Sequence, residues 1–316
     1  MSDSLFPAGL IVDLSRLDLE MMQHYAKLWN VEHKQLGEGV FEGSLFGVHT
    51  PRIQMGISHF SHAVMTQGSF PQGCVVLYFY ENRSLNGPAY NFHDRTIPLN
   101  EIVILTKNEE LYRLTYDAID IHTIAIEEDL FYKTFTTFFG DTPIKNKRLY
   151  IKEDKIALFH QTHILWISYL AKEFPKLTNK PDYDSIESEI LHQFFSCMSS
   201  APAAKKRKKF HTKIVRDLLH ENIDKSVDMS MITKKVNIRA SQLYNSFKKE
   251  YGISPKKYLQ MLRFNAIRKE LLLADPNSVS IRSIAKKYHI LHMGHFAADY
   301  KQLFGETPSR TLNRKK

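Results

Sequence analysis

Short runs of apolar or alternating residues dominate the chain between residues 35 and 127. The clearest are GCVVLYFY (73–80), EIVILT (101–106), LYRLTY (111–116) and IHTIAIE (121–127). They are bounded by Asn, Gly, Asp and Pro at spacings typical of an antiparallel sandwich or barrel. In the last run, Ile121, Thr123, Ala125 and Glu127 share one face and His122, Ile124 and Ile126 the other. The pattern predicts a β-rich domain.

Apolar residues then recur every three or four positions, which predicts two amphipathic helices. Residues 152–174 place Ile156, Phe159, His163, Trp166 and Leu170 on one stripe, and residues 184–198 do the same with Ile186, Ile190, Phe194 and Met198. Such helices bury one face against the sheet, against each other or against a second subunit. Near the N-terminus, the run 13–29 is interpreted as a docked helix or arm.

The stretch SSAPAAKKRKKF (199–210) marks a joint in the chain. Small residues, a proline and a basic run are typical of an exposed connector. The basic run is compatible with a nuclear address or with a phosphate-contacting edge of the next domain, and the basic residues that follow favour the second. We expect a first domain at 1–200 (β-rich at 35–127, helices at about 128–200), a linker at 201–209 and a helical domain at 210–316.

The helical part contains a repeat: FKKEYGISP (247–255) returns as YKQLFGETP (300–308). Each copy combines a helix end, a glycine suited to a left-handed C-terminal residue, a Ser or Thr N-cap and a proline at the start of the next helix. Upstream, ITKKVNI and IAKKYHI predict a short first helix and a tight turn in each copy. The second helices are expected at about Ala240–Glu250, with Leu243 and Phe247 buried, and at His292–Leu303, with Phe296 and Tyr300 buried.

Residues 255–275 have no internal Gly or Pro and predict one continuous helix between the copies. Its expected buried stripe comprises Tyr258, Met261, Leu262, Ala266, Leu271 and Leu272. Helix-turn-helix units place their second helix in a DNA major groove. If both units contact one face of a duplex, their second helices should lie about 34 Å apart.

Charge supports a nucleic-acid partner. From Lys205 onward the chain has 26 Lys and Arg against 9 Asp and Glu, whereas the preceding part has 17 against 25. A strongly basic domain usually meets a polyanion, although a merely soluble basic domain is the alternative. Cys74 and Cys197 are too few for a disulfide framework, and no signal peptide or membrane span is visible. These features predict a cytoplasmic protein without a membrane partner.

At this point the residues resemble a known family. LYNSFKKEYGISPKKYL, LRFNAIRKELL, SIRSIAKKYHI and HFAADYKQLFGETPSR are similar to the DNA-binding domain of the AraC/XylS family of bacterial transcription regulators. The resemblance covers residues 210–316 and implies two helix-turn-helix subdomains joined by a long helix. It implies a DNA-binding activator that works with RNA polymerase and associates with the nucleoid. The sign of regulation, the operator and the target genes stay open.

The resemblance assigns Ser241, Tyr244 and Asn245 to base-facing positions of the first unit. Asn pairs bidentately with adenine, whereas Tyr contacts a thymine methyl or a phosphate. Arg239, Lys248 and Lys249 are expected phosphate contacts, which position the protein without specifying sequence. An ordinary solvated helix face is the alternative for this stripe.

The second unit departs from the family pattern. Its equivalent stripe is Gly294, Ala297, Ala298 and Lys301, flanked by Met293 and His295. We expect His295, Met293 and Ala298 to contribute weak base contacts, with DNA shape as the main signal, or the unit to enter the groove scarcely at all. Lys286, Lys287, Lys301 and Arg310 are its expected phosphate contacts.

The N-terminal domain carries no GxGxxG, GxSxG, GKS, GKT or HExxH motif, so we expect no enzyme, metal site or cofactor. Its order of strands and helices loosely resembles ethanolamine-regulator-type sensor domains. That resemblance implies a cupin-like β-sandwich holding a small-molecule effector, and helices that form a homodimer; a domain that only dimerises or contacts another protein is the alternative. Phe79, Tyr80, Tyr90 and Phe92 fit a pocket lining or plain core, and no effector contact is assigned.

The predicted fold class is therefore α+β, with a β-sandwich domain and a double helix-turn-helix domain. The leading function is sequence-specific, ligand-responsive regulation of transcription. Two alternatives remain at this stage: a nonspecific architectural DNA-binding protein, and a cupin-type metal enzyme with a DNA-binding tail.

Overall fold

The computed structural model describes residues 5–26, 29–81, 90–93, 95–107, 109–141, 144, 148–177, 181–200 and 210–314. Its strands, in chain order, are β1 (Ile11–Leu17), β2 (Val31–Gln35), β3 (Gly43–His49), β4 (Ile53–Phe60), β5 (Val64–Gly68), β6 (Cys74–Glu81), β7 (Tyr90–Phe92), β8 (Arg95–Thr96), β9 (Glu101–Leu105), β10 (Leu111–Thr115), β11 (Ile119–Glu127), β12 (Arg148–Ile151) and β13 (Met198–Ser200).

These strands form two sheets. The larger has the order β1-β3-β4-β11-β6-β9-β12-β13, and the smaller has the order β2-β5-β10-β7-β8. The two faces predicted for the run 121–127 are confirmed. Ile121 and Ala125 pack into the core between the sheets, and Ile124 and Ile126 pack into the core beneath the helices. The β-sandwich expected from the alternating runs is therefore present.

The helices, in chain order, are α1 (Leu19–Tyr25), α2 (Glu128–Phe139), α3 (Ile156–Glu173), α4 (Tyr183–Ser196), α5 (Phe210–His220), α6 (Met229–Val236), α7 (Ala240–Tyr251), α8 (Pro255–Leu273), α9 (Ile281–Lys287), α10 (Met293–Phe304) and α11 (Pro308–Leu312). Helices α2, α3 and α4 share one core with the outer face of the larger sheet. Among the described helices, none combines the length and the apolar character that crossing a membrane requires.

The N-terminal run 13–29 is not one helix. Its first residues belong to β1, which pairs antiparallel with β3, and α1 follows. Asp18 separates the two elements, because its carboxylate accepts a hydrogen bond from the Met21 amide and so caps the helix. Strand pairing therefore overrides the helical interpretation of the first half of the run.

The expected helical domain is confirmed, including a single helix α8 between the repeated units. Tyr258, Met261, Leu262 and Leu271 are buried as predicted, whereas Ala266 and Leu272 are only half-buried. Phe264 and Ile267, which the predicted stripe missed, are buried, since α8 packs against helices on more than one side.

The smaller sheet and the helical part share a hydrophobic core. Leu36, Met65 and Leu114 of the sandwich lie in the same cluster as Leu243, Phe247 and Tyr258. The predicted linker at 201–209 lies outside the described residues, so the domain boundaries stay predictions. The shared core nevertheless means that the sandwich and the helices pack directly on each other.

Candidate nucleic-acid interface

Helix α7 is the second helix of the first helix-turn-helix unit. The turn before it contains Asn237 in a left-handed conformation with φ 51°. Leu243 and Phe247 are both 0% exposed and attach the helix to the core. The opposite side is exposed and carries Ser241, Tyr244 and Asn245. No side chain of these three makes a hydrogen bond to another described residue, so their polar groups are free for an external partner.

The repeated nine residues perform the local tasks that the sequence predicts. Gly252 and Gly305 end α7 and α10 with φ of 75° and 71°. The hydroxyl of Ser254 accepts a hydrogen bond from the Lys257 amide, and the hydroxyl of Thr307 accepts one from the Arg310 amide. Each caps a helix whose first residue is proline. Two copies of one local design therefore build two similar units.

Helix α10 presents a different surface. Phe296 and Tyr300 are buried as predicted, whereas His295 and Ala298 are exposed. Met293 is half-buried and packs against the core, so only part of it is available to a partner. The exposed stripe of this helix is thus made of small or apolar residues apart from His295 and Lys301.

Six of the seven expected phosphate contacts are exposed and form no ion pair with a described residue. They are Arg239, Lys248, Lys249, Lys286, Lys301 and Arg310. Lys287 differs, because its ammonium group pairs with the Glu270 carboxylate and lies 5.5 Å from the Tyr288 ring centroid. Lys287 is therefore partly committed within the chain.

Several other cations of the helical part pair with the acidic sandwich. Lys257 binds Glu38 at 2.7 Å and Lys269 binds Glu32 at 2.9 Å. Arg268 contacts Glu20 at 2.8 Å. Arg314 contacts Asp18 at 3.0 Å. The opposite charges of the two parts of the chain therefore serve their mutual docking as well as any external polyanion, which the charge count alone did not reveal.

The sandwich aromatics considered as pocket residues belong to the core. Phe79, Tyr80, Tyr90 and Phe92 are all at most 5% exposed, and none lines the cavity between the two sheets. That cavity is lined instead by residues such as Tyr78, Phe60 and Arg113, which the sequence did not single out.

Three histidines that the sequence did not connect meet behind the larger sheet. His122 of β11 and His163 of α3 place their Nδ1 atoms 3.0 Å apart, and His163 Nε2 lies 3.2 Å from the Thr123 carbonyl oxygen. Since a carbonyl only accepts, His163 donates from Nε2 and accepts from His122 at Nδ1. His160 lies beside them, with ring centroids 5.7 Å from His122. Within the described ranges, no group of three His, Cys, Asp or Glu has metal-binding geometry.

Comparison with known proteins finds matches to part of the chain. Residues 232–314 match the family model of a helix-turn-helix domain. The probable thc operon regulatory protein of Rhodococcus erythropolis is 33% identical over 96 residues, covering 30% of this chain and 29% of the relative. The XylDLEGF operon transcriptional activator of Pseudomonas putida is 32% identical over 129 residues, covering 41% of this chain and 40% of the relative.

Solved structures that match this chain include the AraC-like transcriptional activator CuxR, with 16% identity, a TM-score of 0.40 and coverage of 88% of this chain and 100% of that one. ToxT from Vibrio cholerae has 11% identity, a TM-score of 0.30 and coverage of 89% and 97%. The chain covers 29% and 40% of the length of the two curated relatives above.

The matched residues are those that form the two capped units and the exposed stripe of α7, and the curated relatives are named as regulators of operons. Residues 232–314 therefore match a helix-turn-helix domain, and the chain is similar over about a third of its length to proteins named as regulators of operons.

Proposed function

We propose that this protein is a sequence-specific DNA-binding regulator of transcription. The observation that carries the proposal is the outer face of α7. Ser241, Tyr244 and Asn245 are exposed on the second helix of a helix-turn-helix unit, and their side chains have no hydrogen-bond partner within the described chain. Major-groove base edges offer donors and acceptors that such side chains can bind.

The two units divide the work unequally in this proposal. Helix α7 recognises bases through Asn245 and its neighbours, with Arg239, Lys248 and Lys249 on the flanking phosphates. Helix α10 offers His295, Ala298 and part of Met293, so it contributes little hydrogen bonding to bases. Lys286, Lys301 and Arg310 bind the second unit to the DNA phosphates. Lys287 can do so only if its ion pair with Glu270 is broken.

The remaining partners follow from this role. The sandwich would bind a small-molecule effector, and α2–α4 would offer a surface for a homodimer. The Pseudomonas putida relative is named as a transcriptional activator, which supports activation as the mode of regulation. RNA polymerase would be the partner in that mode. Such a protein would act on chromosomal DNA in the cytoplasm. The two alternative functions, a nonspecific architectural DNA-binding protein and a metal enzyme with a DNA-binding tail, are less favoured, because the curated relatives are named as operon regulators.

The test is binding of the full chain to DNA fragments from upstream of its own and neighbouring genes, against random DNA at physiological salt. We expect a specificity ratio of about 10³ or more. Equal binding to all fragments would identify a nonspecific DNA-binding protein instead, and binding to none would remove the proposal.

A further inference from the structure

A cavity of about 120 Å³ lies between the two sheets of the sandwich. Much of its wall is apolar and includes Met22, Leu45, Leu111 and Ile121, whose side chains belong to the core between the sheets. A dry apolar cavity of about 150 Å³ accommodates a six-carbon aromatic ring, so this one suits a small organic molecule. One polar part of the wall is centred on Arg113, and a second consists of Trp29, His49 and Gln54, which are hydrogen-bonded to one another.

Arg113 of β10 is 2% exposed and belongs to this wall. One terminal nitrogen donates to the Tyr78 hydroxyl and the other to Thr66 Oγ1 at 2.6 Å. The guanidinium lies 4.5 Å from the centroid of the Phe60 ring. No Asp or Glu of the described chain lies within ion-pair distance, and Nε is buried without a hydrogen-bond partner.

The side chains around Arg113 do not supply the missing negative charge. Burial raises the pKa of Tyr78, so its phenol stays neutral beside the guanidinium. His33 places Nδ1 at 3.0 Å from Thr66 Oγ1, and burial, together with the Arg113 charge, lowers its pKa to about 3. A buried cation surrounded by neutral groups is costly, because nothing replaces the water that it lost.

We propose that the cavity binds a small organic monocarboxylate, with its carboxylate on Arg113 and its apolar body among Met22, Leu45, Leu111 and Ile121. A guanidinium binds a carboxylate through two parallel N–H donors, and Arg113 has the Nε–H and further N–H groups of its terminal nitrogens to offer. The ligand thereby supplies the charge that the folded chain lacks.

The position of Arg113 connects this site to the DNA-binding domain. On strands β2, β5 and β10, His33, Thr66 and Arg113 line the cavity. Their sequence neighbours point to the helices: Glu32 pairs with Lys269, and Met65 Sδ and the Tyr112 hydroxyl lie 3.2 Å and 3.1 Å from the hydroxyl of Tyr258. A ligand at Arg113 is therefore separated from α8 by the thickness of one sheet, which gives it a direct route to regulation. Only this regulatory meaning rests on the proposed function.

The test measures ligand binding to the full chain by thermal shift and titration calorimetry, without DNA. The probes are hexanoate and cyclohexanecarboxylate, each compared with its own carboxamide, and phosphate. We expect at least one carboxylate to raise the unfolding temperature, and its amide and phosphate to leave it unchanged. Equal shifts for acid and amide, a shift with phosphate alone, or no shift with any probe would overturn the proposal.

Two variants locate the site. Arg113→Gln should weaken carboxylate binding about 10- to 100-fold, because it removes hydrogen bonds to a charged group. Lys133→Gln removes one exposed positive charge of α2 and should bind as the wild type does. Unchanged affinity in Arg113→Gln would place the ligand elsewhere. If that variant does not fold, the acid–amide comparison on the wild type decides alone. Loss of sequence-specific DNA binding would count only against the proposed function.

Discussion

Asn265 and Gln35 exchange two hydrogen bonds of 2.9 Å across the boundary between the helices and the sandwich. The Gln35 amide donates to Asn265 Oδ1, and Asn265 Nδ2 donates to the Gln35 carbonyl. Gln35 ends β2, an edge strand of the smaller sheet, so the Asn265 carboxamide takes the place of a neighbouring strand. The Gln35 side chain continues to the Leu303 carbonyl at 2.7 Å and so reaches α10 as well.

Asn265→Ala should loosen this docking. It leaves two backbone groups of β2 without a partner, and we expect a loss of roughly 1–3 kcal/mol in the free energy of unfolding. The measurement is thermal unfolding of the full chain combined with limited proteolysis. Asn245→Ala on the exposed face of α7 is the matched control. Equal stability of both variants would show that this pair does not hold the two parts together.

Gly305, the glycine of the second repeat, is constrained by a tertiary contact as well as by its backbone conformation. A Cβ on Gly305 would come within 2.2 Å of Val40 Cγ2, and Gly305 has φ 71°. Gly305→Ala should therefore destabilise the chain by more than the roughly 1 kcal/mol typical of a left-handed alanine. Gly294→Ala, on the same helix, meets no atom within 4 Å and has ordinary helical geometry. It should be neutral or slightly stabilising in denaturant unfolding. A neutral Gly305→Ala would show that the loop carrying Val40 moves aside.

Asn245 and Lys248 should separate base recognition from phosphate binding. Asn245→Ala should cost roughly 1–3 kcal/mol and relax preference at one base pair. Lys248→Ala should weaken all sequences alike and reduce the slope of log affinity against log salt by about 1. Competition binding with single-base operator variants at several salt concentrations distinguishes the two. Identical behaviour of both variants would contradict the assigned roles.

Buried histidines should make the fold sensitive to acid. Burial lowers the pKa of His160 to about 4 and that of His163 to about 3, against 6.5 in the unfolded chain. As pH falls below about 6.5, these histidines are protonated in the unfolded chain but stay neutral in the folded chain. The free energy of unfolding therefore declines toward pH 4. Above that window both states are neutral at these sites and the effect is absent. Unfolding midpoints from pH 8 to pH 4.5 measure it.

His160→Leu should flatten this dependence. Both ring nitrogens of His160 are buried without a hydrogen-bond partner among the described residues, so an apolar side chain loses no hydrogen bond there. At pH 5 the variant should gain roughly 1–2 kcal/mol relative to the wild type, beyond any difference at pH 8. An equal difference at both pH values would exclude titration of His160 as the cause.

Local sequence decided much of the helical domain. The ends of α7 and α10 follow from a glycine, an N-cap and a proline within nine residues, because capping depends on near neighbours in the chain. The buried residues Leu243 and Phe247 follow from helical periodicity in the same way. The two faces of β11 were equally predictable, because side chains alternate along any strand. The run 13–29 was interpreted as a docked helix or arm, and the helical alternative is wrong for its first residues, since pairing with the strand at residues 43–49 outweighs local preference.

Tertiary structure alone decided which polar groups are satisfied and which are free. In the sequence, Lys257, Arg268 and Lys269 cannot be distinguished from the Lys and Arg residues expected to contact DNA. In the structure they form ion pairs with acidic residues more than 200 positions away. Arg113 lies in an unremarkable alternating run, and only the packing of the sheets shows that its charge is buried without a counter-ion. Helical periodicity and helix capping depend on residues that are neighbours in the sequence. Ion pairing and the burial of charged groups depend on contacts between residues that are far apart in the sequence.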